Sequence, residues 1–254
     1  MAGAARGIDR RALLAGAAAS FVTHRAWSAG TPLRLAFFDD YAPISFVEAG
    51  AARGLLVDAC AIVCRRAGLD PSAHPGPWAR MQRLVRDGAL DAFCTTPTPE
   101  RVEYAVFCQT PLIILRAGII HRRDDARAAA IGSLADLRGF RIADYIGNQW
   151  AYEVWLPGVE VDWVPQITAV LGKIAAGRDD IKVGGEITAP YNIRAAGLED
   201  KLTFTPVGFL EPAPFVLGVR RSLPGAVELA ARLEPIVAAF VADGERDALI
   251  GRYG

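Results

Sequence analysis

Histidine is scarce, with three copies in 254 residues, at His24, His74 and His121. His74 sits among prolines and His121 precedes Arg122-Arg123-Asp124-Asp125. No Ser-His-Asp or Cys-His arrangement, phosphate loop or metal-ligand cluster can be read, so the common nucleophilic and metal-assisted chemistries lose their support. Neither a metal nor a cofactor is expected. Blocks of basic residues are missing too. The formal net charge is zero, from 28 basic and 28 acidic side chains, and neutralising a phosphate backbone needs clustered Lys and Arg, so nucleic acid is not an expected partner. Beyond the first thirty residues no run is long enough to span a bilayer, which takes about 20 apolar residues. The richest, Pro111 to Ile120, is interrupted by Arg116 and Gly118. What remains is a chain that is 52% hydrophobic, long enough for a sizeable core, whose expected partner is a small molecule.

The first thirty residues read as an export signal. Arg10-Arg11 precedes a short, Ala-rich apolar run from Ala12 to Val22, followed by the small-residue zone Ala26-Trp27-Ser28-Ala29. Basic, apolar and small zones in that order mark a secretory leader, and the paired arginines before an Ala-rich core resemble a twin-arginine signal. Cleavage after Ser28 or Ala29 would leave a weakly acidic chain in an oxidising, periplasmic compartment, where disulfides are permitted. Cys60 and Cys64 lie four apart on an expected helix among Ala, Ile and Val, an environment of small core residues rather than of a metal site. Cys94 and Cys108 are candidates for a bridge. Sequence leaves the connectivity of four cysteines open.

After residue 30 the pattern alternates. Leu33 to Phe38 reads as a strand, Gly54 to Arg66 as an amphipathic helix, Trp78 to Arg86 as a second helix ended by Gly88, and Ala89 to Phe93 as a strand. After Pro111 the pattern restarts with a strand from Ile113 to Ile120 and a short helix capped by Ser133. Strands at Phe140–Ala143, Val159–Val164 and Ile181–Val183 then alternate with helices at Gln149–Trp155, Ile167–Ala176 and Ala189–Ala196. Strands at Leu202–Phe204 and Phe215–Val219 precede two closing helices, Pro224–Val241 and Glu245–Tyr253. The expected fold is α/β with two lobes, each a mostly parallel sheet flanked by helices. Residues 30–117 and 209–254 would form lobe 1 and 118–208 lobe 2, the helical ending docking back on lobe 1. Two crossings, near Arg116–Gly118 and Gly208–Pro212, would act as a hinge. The pocket is expected between the lobes, at the carboxyl ends of strands.

The loops after those strands contain Tyr41-Ala42-Pro43-Ile44-Ser45-Phe46, Gly54-Leu55-Leu56-Val57-Asp58, Trp78, Asp91-Ala92, Thr96-Pro97-Thr98-Pro99-Glu100-Arg101 and Ser133-Leu134-Ala135-Asp136-Leu137-Arg138-Gly139. In order and spacing they resemble the family 3 extracellular solute-binding proteins, the polar amino-acid receptors of ABC transporters, which have the type II periplasmic-binding fold. The resemblance covers essentially the whole chain after the leader. It implies a monomeric receptor that hands a solute to a membrane permease. Arg101 would grip a carboxylate through its planar fork of donors, with the Thr96 hydroxyl, Thr95, Thr98 and nearby backbone N–H groups completing the nest. Tyr41 and Trp78 would stack on the ligand, and Phe46 reads as core. In the second lobe Gly147-Asn148-Gln149-Trp150 stands where the family commonly has Gly-Ser-Thr, so Asn148 and Gln149 become the expected donors. Gly185 stands where the amino-acid receptors place an Asp for the ligand's ammonium, with Glu186 beside it as a substitute. Lys182 occupies a strand slot that is usually apolar. The expected solute is therefore an amino acid, an organic acid or another small polar molecule.

The expected function is binding, not catalysis. Two alternatives stand beside it. An enzyme on the same scaffold, as in relatives that are dehydratases acting on cyclic acids, would need a general acid or base from Asp39, Asp40, Glu186 or Glu211, and these form no recognisable pair. A sensory module with another membrane partner would show the same pocket.

Overall fold

The computed structural model describes residues 30–146 and 158–253. The expected leader and the expected helix Gln149–Trp155 lie outside the described residues. Thr31–Phe38 forms β1. A small antiparallel sheet follows, β2 (Asp40–Tyr41), β3 (Ser45–Glu48) and β4 (Ala51–Arg53). Gly54 then starts helix α1 (Leu55–Arg66). Its φ is +120°, and a Cβ there would stand 2.6 Å from the Ile44 carbonyl oxygen, so only glycine fits this entry. α1 buries Leu55, Leu56, Ala59, Cys60, Val63 and Cys64 along one face. Asp58 in its first turn and Arg65 and Arg66 in its last complement the helix dipole. β5 (Leu69–Gly76) lies parallel to β1, helix α2 (Trp78–Arg86) follows, and β6 (Ala92–Thr95) lies parallel to β1 on its other side. Helix α3 (Pro99–Tyr104), β7 (Ala105–Phe107) and β8 (Ile113–Leu115) complete this half.

Past Arg116 the chain enters a second sheet. It holds β9 (Ala117–Arg122), then the short helix α4 (Ala126–Ala129), β10 (Ala143–Tyr145), β11 (Asp162–Val164), helix α5 (Ile167–Ala175), β12 (Ile181–Gly185), helix α6 (Thr188–Ala195) and β13 (Leu202–Pro206). Residues 207–212 return to β14 (Ala213–Arg220), and helices α7 (Ala226–Ala242) and α8 (Glu245–Tyr253) close the chain. The first sheet has the order β5-β1-β6-β14-β7, with β8 paired to β14; in the second lobe β12-β9-β13 and β10-β11 are joined by a bridge between Ile142 and Ile181. The last helices dock on α1 of the first lobe, where the Tyr253 hydroxyl donates to Asp58 at 2.9 Å. Burial, aided by that carboxylate, pushes the Tyr253 phenol up to about 12.

The strand directions are more mixed than the alternation suggests. β14 runs antiparallel to β6, β7 and β8, and β9 antiparallel to β12 and β13. These are the strands that start at the crossings, so they run away from the cleft while β1, β6 and β12 run toward it. The run Ile113–Ile120 divides at Arg116 into β8 and β9. At the crossing Gly118 lets β9 and β13 approach, since a Cβ there would sit 2.5 Å from the Thr205 carbonyl oxygen. No helix is capped by Ser133. The Asp136 carboxylate instead accepts from the Gly132 and Ser133 amides at 3.0 and 2.9 Å, tightening the segment into the single 3-10 turn Asp136–Gly139. The Cys94–Cys108 bridge is not formed. All four thiols are free and buried; Cys94 faces Cys60 across the core, while the Cys108 thiol donates to the Ala230 carbonyl at 3.8 Å.

An arginine–aspartate fork anchors each lobe. Asp91, 7% exposed at its side chain, takes the Arg34 amide at 3.0 Å and the Arg34 guanidinium through two bonds of 2.8 Å, with Arg220 from β14 at 3.3 Å. In the second lobe Asp180 takes the Arg141 amide at 2.9 Å and its guanidinium at 2.8 and 3.2 Å. Burial alone would raise the Asp91 carboxyl; Arg34 and Arg220 outweigh it and hold it below its ordinary value. A depressed folded pKa means that the stability is present above about pH 4 and is lost as pH falls through the folded value. Asp91→Asn is expected to cost about 2–3 kcal/mol at pH 7, and the gap between variant and parent urea midpoints should narrow toward pH 3. A constant gap across that range would exclude the carboxylate's charge as the cause.

Candidate functional site

Between the lobes lie two adjoining chambers with Tyr41 and Tyr145 in the walls of both. The larger, of about 320 Å³, belongs mostly to lobe 1. Its walls are Phe37, Phe38 and Tyr41 from the end of β1 and its loop, Leu56 of α1, Trp78 of α2, Cys94 and Thr95 of β6, Thr96 and Thr98 beyond it, and Pro212 to Phe215 from the return crossing. Arg101, in the first turn of α3, completes it, with Glu211 exposed at the side of the return crossing.

Sequence explains why Arg101 is placed there. Thr98 is the N-cap of α3, its hydroxyl accepting from the Arg101 amide at 3.3 Å, and Pro99 occupies the first helical position. The side chain is then held on three sides. Arg101 Nη1 donates to the Thr96 carbonyl at 2.7 Å, Nε donates to Gln82 Oε1 at 2.9 Å, and the guanidinium lies over the Trp78 ring at 5.6 Å from its centroid. Every one of these partners is neutral. Among the described residues no carboxylate forms an ion pair with Arg101. Burial pushes the guanidinium below its ordinary value, outweighing the opposing effects of Tyr104 and the Glu100 charge. The arrangement offers the remaining donors to an anion.

The second chamber, of about 270 Å³, is mostly lobe 2. Asp40, Arg116, Gln166, Thr168, Lys182, Gly184, Gly185, Thr188 and Asn192 contribute to its lining. Lys182 is buried on β12, where its Nζ donates to Asp144 Oδ2 at 3.0 Å and to the Val183 carbonyl at 2.7 Å, beneath the Tyr145 ring at 5.6 Å. Its charge is thus neutralised inside the lobe. β12 ends the sheet order β12-β9-β13, with a single bridge from Ile181 to Ile142 on its other side. Burial pushes the Tyr41 and Tyr145 phenols well up, with the Asp144 charge adding to both. Both hydroxyls remain protonated donors at neutral pH.

Of the residues singled out from sequence, Tyr41, Trp78, Thr95, Thr96, Thr98 and Arg101 line one chamber. Thr96 touches Arg101 through its carbonyl, not its hydroxyl. Asn148 and Gln149 lie outside the described residues. Glu186 lines neither chamber. It turns to the crossing, where its carboxylate accepts from the Arg116 amide at 3.4 Å and pairs with the guanidinium at 3.7 Å. Gly185 does line the second chamber. Gln82 and Tyr145 escaped the sequence reading. Gln82 follows Trp78 by four residues, one helical turn on the same face, and Tyr145 closes a strand that points at the cleft.

The buried Lys182–Asp144 pair yields a test of how lobe 2 is held. Lys182→Met is expected to lower stability by about 3–5 kcal/mol because Asp144 is left charged in the core, and adding Asp144→Leu should restore much of that loss. Urea unfolding of the parent, single and double variants checks it. A double variant no more stable than the single would show that packing, not the stranded charge, dominates.

Comparison with known proteins bears on the same features. Among curated proteins no match is found. Among solved structures the fold is similar to a histidine kinase sensor domain described as similar to periplasmic binding proteins, with a TM-score of 0.65, 22% identity and coverage of 88% of this chain and 96% of that one. It is also similar to an ancestral amino-acid-binding protein described as a precursor of cyclohexadienyl dehydratase, with a TM-score of 0.66, 22% identity and coverage of 87% and 95%. A third is an amino acid ABC transporter substrate-binding protein from Streptococcus pneumoniae bound to L-arginine, with a TM-score of 0.67, 18% identity and coverage of 87% and 94%. At these identities the structures establish a shared fold. The sequence profile of one family matches residues 33–254, most of the chain, and on that match the protein belongs to the bacterial extracellular solute-binding proteins, family 3.

Proposed function

We propose that this protein is an exported receptor that captures a small carboxylate-bearing solute between its lobes and delivers it, as a monomer, to the permease of an ABC importer. The observation that carries the reading is Arg101, a desolvated guanidinium in the wall of an interlobe chamber whose partners are all neutral. An anion entering that chamber supplies the missing counter-charge. Its body packs on Tyr41 and Trp78, and Tyr145 of lobe 2 covers it. In this reading residues 30–117 with 209–254 form lobe 1 and 118–208 lobe 2, the hinge lies near Arg116–Gly118 and Gly208–Pro212, and the twin-arginine leader precedes lobe 1. Ligand contacts to both lobes exist only when the hinge is shut, so the difference in affinity between open and closed states drives closure. Asn148 and Gln149, expected donors of the second lobe, belong to this proposal as well.

The reading has support from the family, whose description is extracellular and solute-binding, and from the amino acid transporter protein that shares the fold. No helix among the described residues is long and apolar enough to cross a membrane, consistent with a receptor that needs a separate permease. The site is proposed to bind without turnover, which an assay for product on any bound solute checks directly.

A thermal-shift screen of amino acids, carboxylic acids and small amines identifies ligands, because a solute held only by the folded state raises the melting temperature. For a carboxylate found this way, Arg101→Ala is expected to weaken binding by about 2–4 kcal/mol. Arg101→Lys should recover only part of it, because an ammonium cannot reproduce the planar fork. Calorimetry that gives unchanged affinity for Arg101→Ala would remove the guanidinium from the site.

A further inference from the structure

The balance of charge and surface in the Arg101 chamber narrows the solute class, and this step rests on the capture reading above. Among the described residues that line it, the chamber has one cation, Arg101, and one acidic side chain, Glu211, which is exposed. Asp40 lies in the neighbouring chamber, Asp144 is committed to Lys182, and Glu186 is committed to Arg116. Apart from Ser45, the threonine groups beside Arg101 and the exposed Glu211, the walls are mostly aromatic and aliphatic, with Phe37, Leu56, Trp78 and Phe215 prominent. A volume of about 320 Å³ falls at the small end of the usual range for small-molecule pockets.

From this we infer that the solute is a monocarboxylate with an apolar, aromatic or branched body and no ammonium group. The carboxylate accepts from Arg101 while the body fills the apolar space against Trp78 and Tyr41. An α-ammonium would stand within a few ångströms of its own carboxylate. It would therefore sit close to the guanidinium, in a space where no buried carboxylate of the described residues receives it. It would lose water without a charged partner and would be repelled by Arg101.

Three probes that share a phenylethyl body separate the possibilities: 3-phenylpropionate, L-phenylalanine and 2-phenylethylamine, titrated into the full protein by calorimetry with L-arginine and 4-methylpentanoate alongside. The expected result is that 3-phenylpropionate binds about tenfold or more tighter than L-phenylalanine, the cost of burying an unpaired polar group, and that the amine does not bind. Glu211→Gln should strengthen 3-phenylpropionate binding about twofold to fivefold by removing an exposed like charge. L-Phenylalanine or L-arginine binding as tightly as the deaminated acids, with loss in Arg101→Ala, would overturn the ammonium-free class and leave capture through Arg101 standing. A weakening of L-phenylalanine binding in Glu211→Gln would overturn it too, placing the ammonium on that carboxylate. Failure of every carboxylate to bind would remove the capture reading and this inference together.

Discussion

A positive charge held out of water by neutral groups is the constraint on which the site depends. Arg101 is fixed by a carbonyl, an amide side chain and an indole face, none of which cancels its charge. Leaving an ion in that condition is unfavourable, and the rest of the molecule keeps it there through rigid elements. Thr98 and Pro99 start the helix that carries it, Trp78 and Gln82 stand one turn apart on α2, and β6 leads directly into Thr96. The other arginines and lysines near the core illustrate the contrast. Arg34, Arg141 and Lys182 each meet an aspartate and serve structure. Arg101, in the chamber wall, forms no such pair among the described residues.

The two lobes use the same local device for different ends. Arg34–Asp91 ties the middle of β1 to the start of the parallel β6, and Arg141–Asp180 ties the residues that precede the bridged pair Ile142 and Ile181, each through a forked pair backed by an amide hydrogen bond. Forked arginine–carboxylate pairs combine strength with a defined geometry, which suits the end of a sheet remote from the pocket. At the cleft end β10, β6 and β12 finish in Tyr145, Thr95 and Gly185, and Arg101 stands in the chamber wall. Stability is therefore concentrated where the strands begin, and recognition where they end.

Much of the architecture was legible because burial imposes periodicity. α1 declares itself through Leu55, Ala59, Cys60, Val63 and Cys64, and α5 through Val170, Leu171 and Ile174. β5 did not, since Pro71 and Pro75 break its pattern. Its place at the edge of the sheet tolerates residues that donate no ladder bond. Ile113–Ile120 was expected as one strand, yet Arg116 and Gly118, which interrupt its apolar run, stand where it passes from one sheet to the other.

The sequence by itself determined most of the elements, the two crossings and the residue types able to hold an anion, because helix periodicity, capping by Thr98 and the donor fork of an arginine are local properties. Only the tertiary structure decided which charges are already spent. Lys182 and Glu186 look equally available in the sequence, yet one is paired with Asp144 inside lobe 2 and the other with Arg116 at the crossing. Pairing depends on distances between residues remote in the chain, and electrostatic cost depends on burial, and neither quantity exists until the chain is folded.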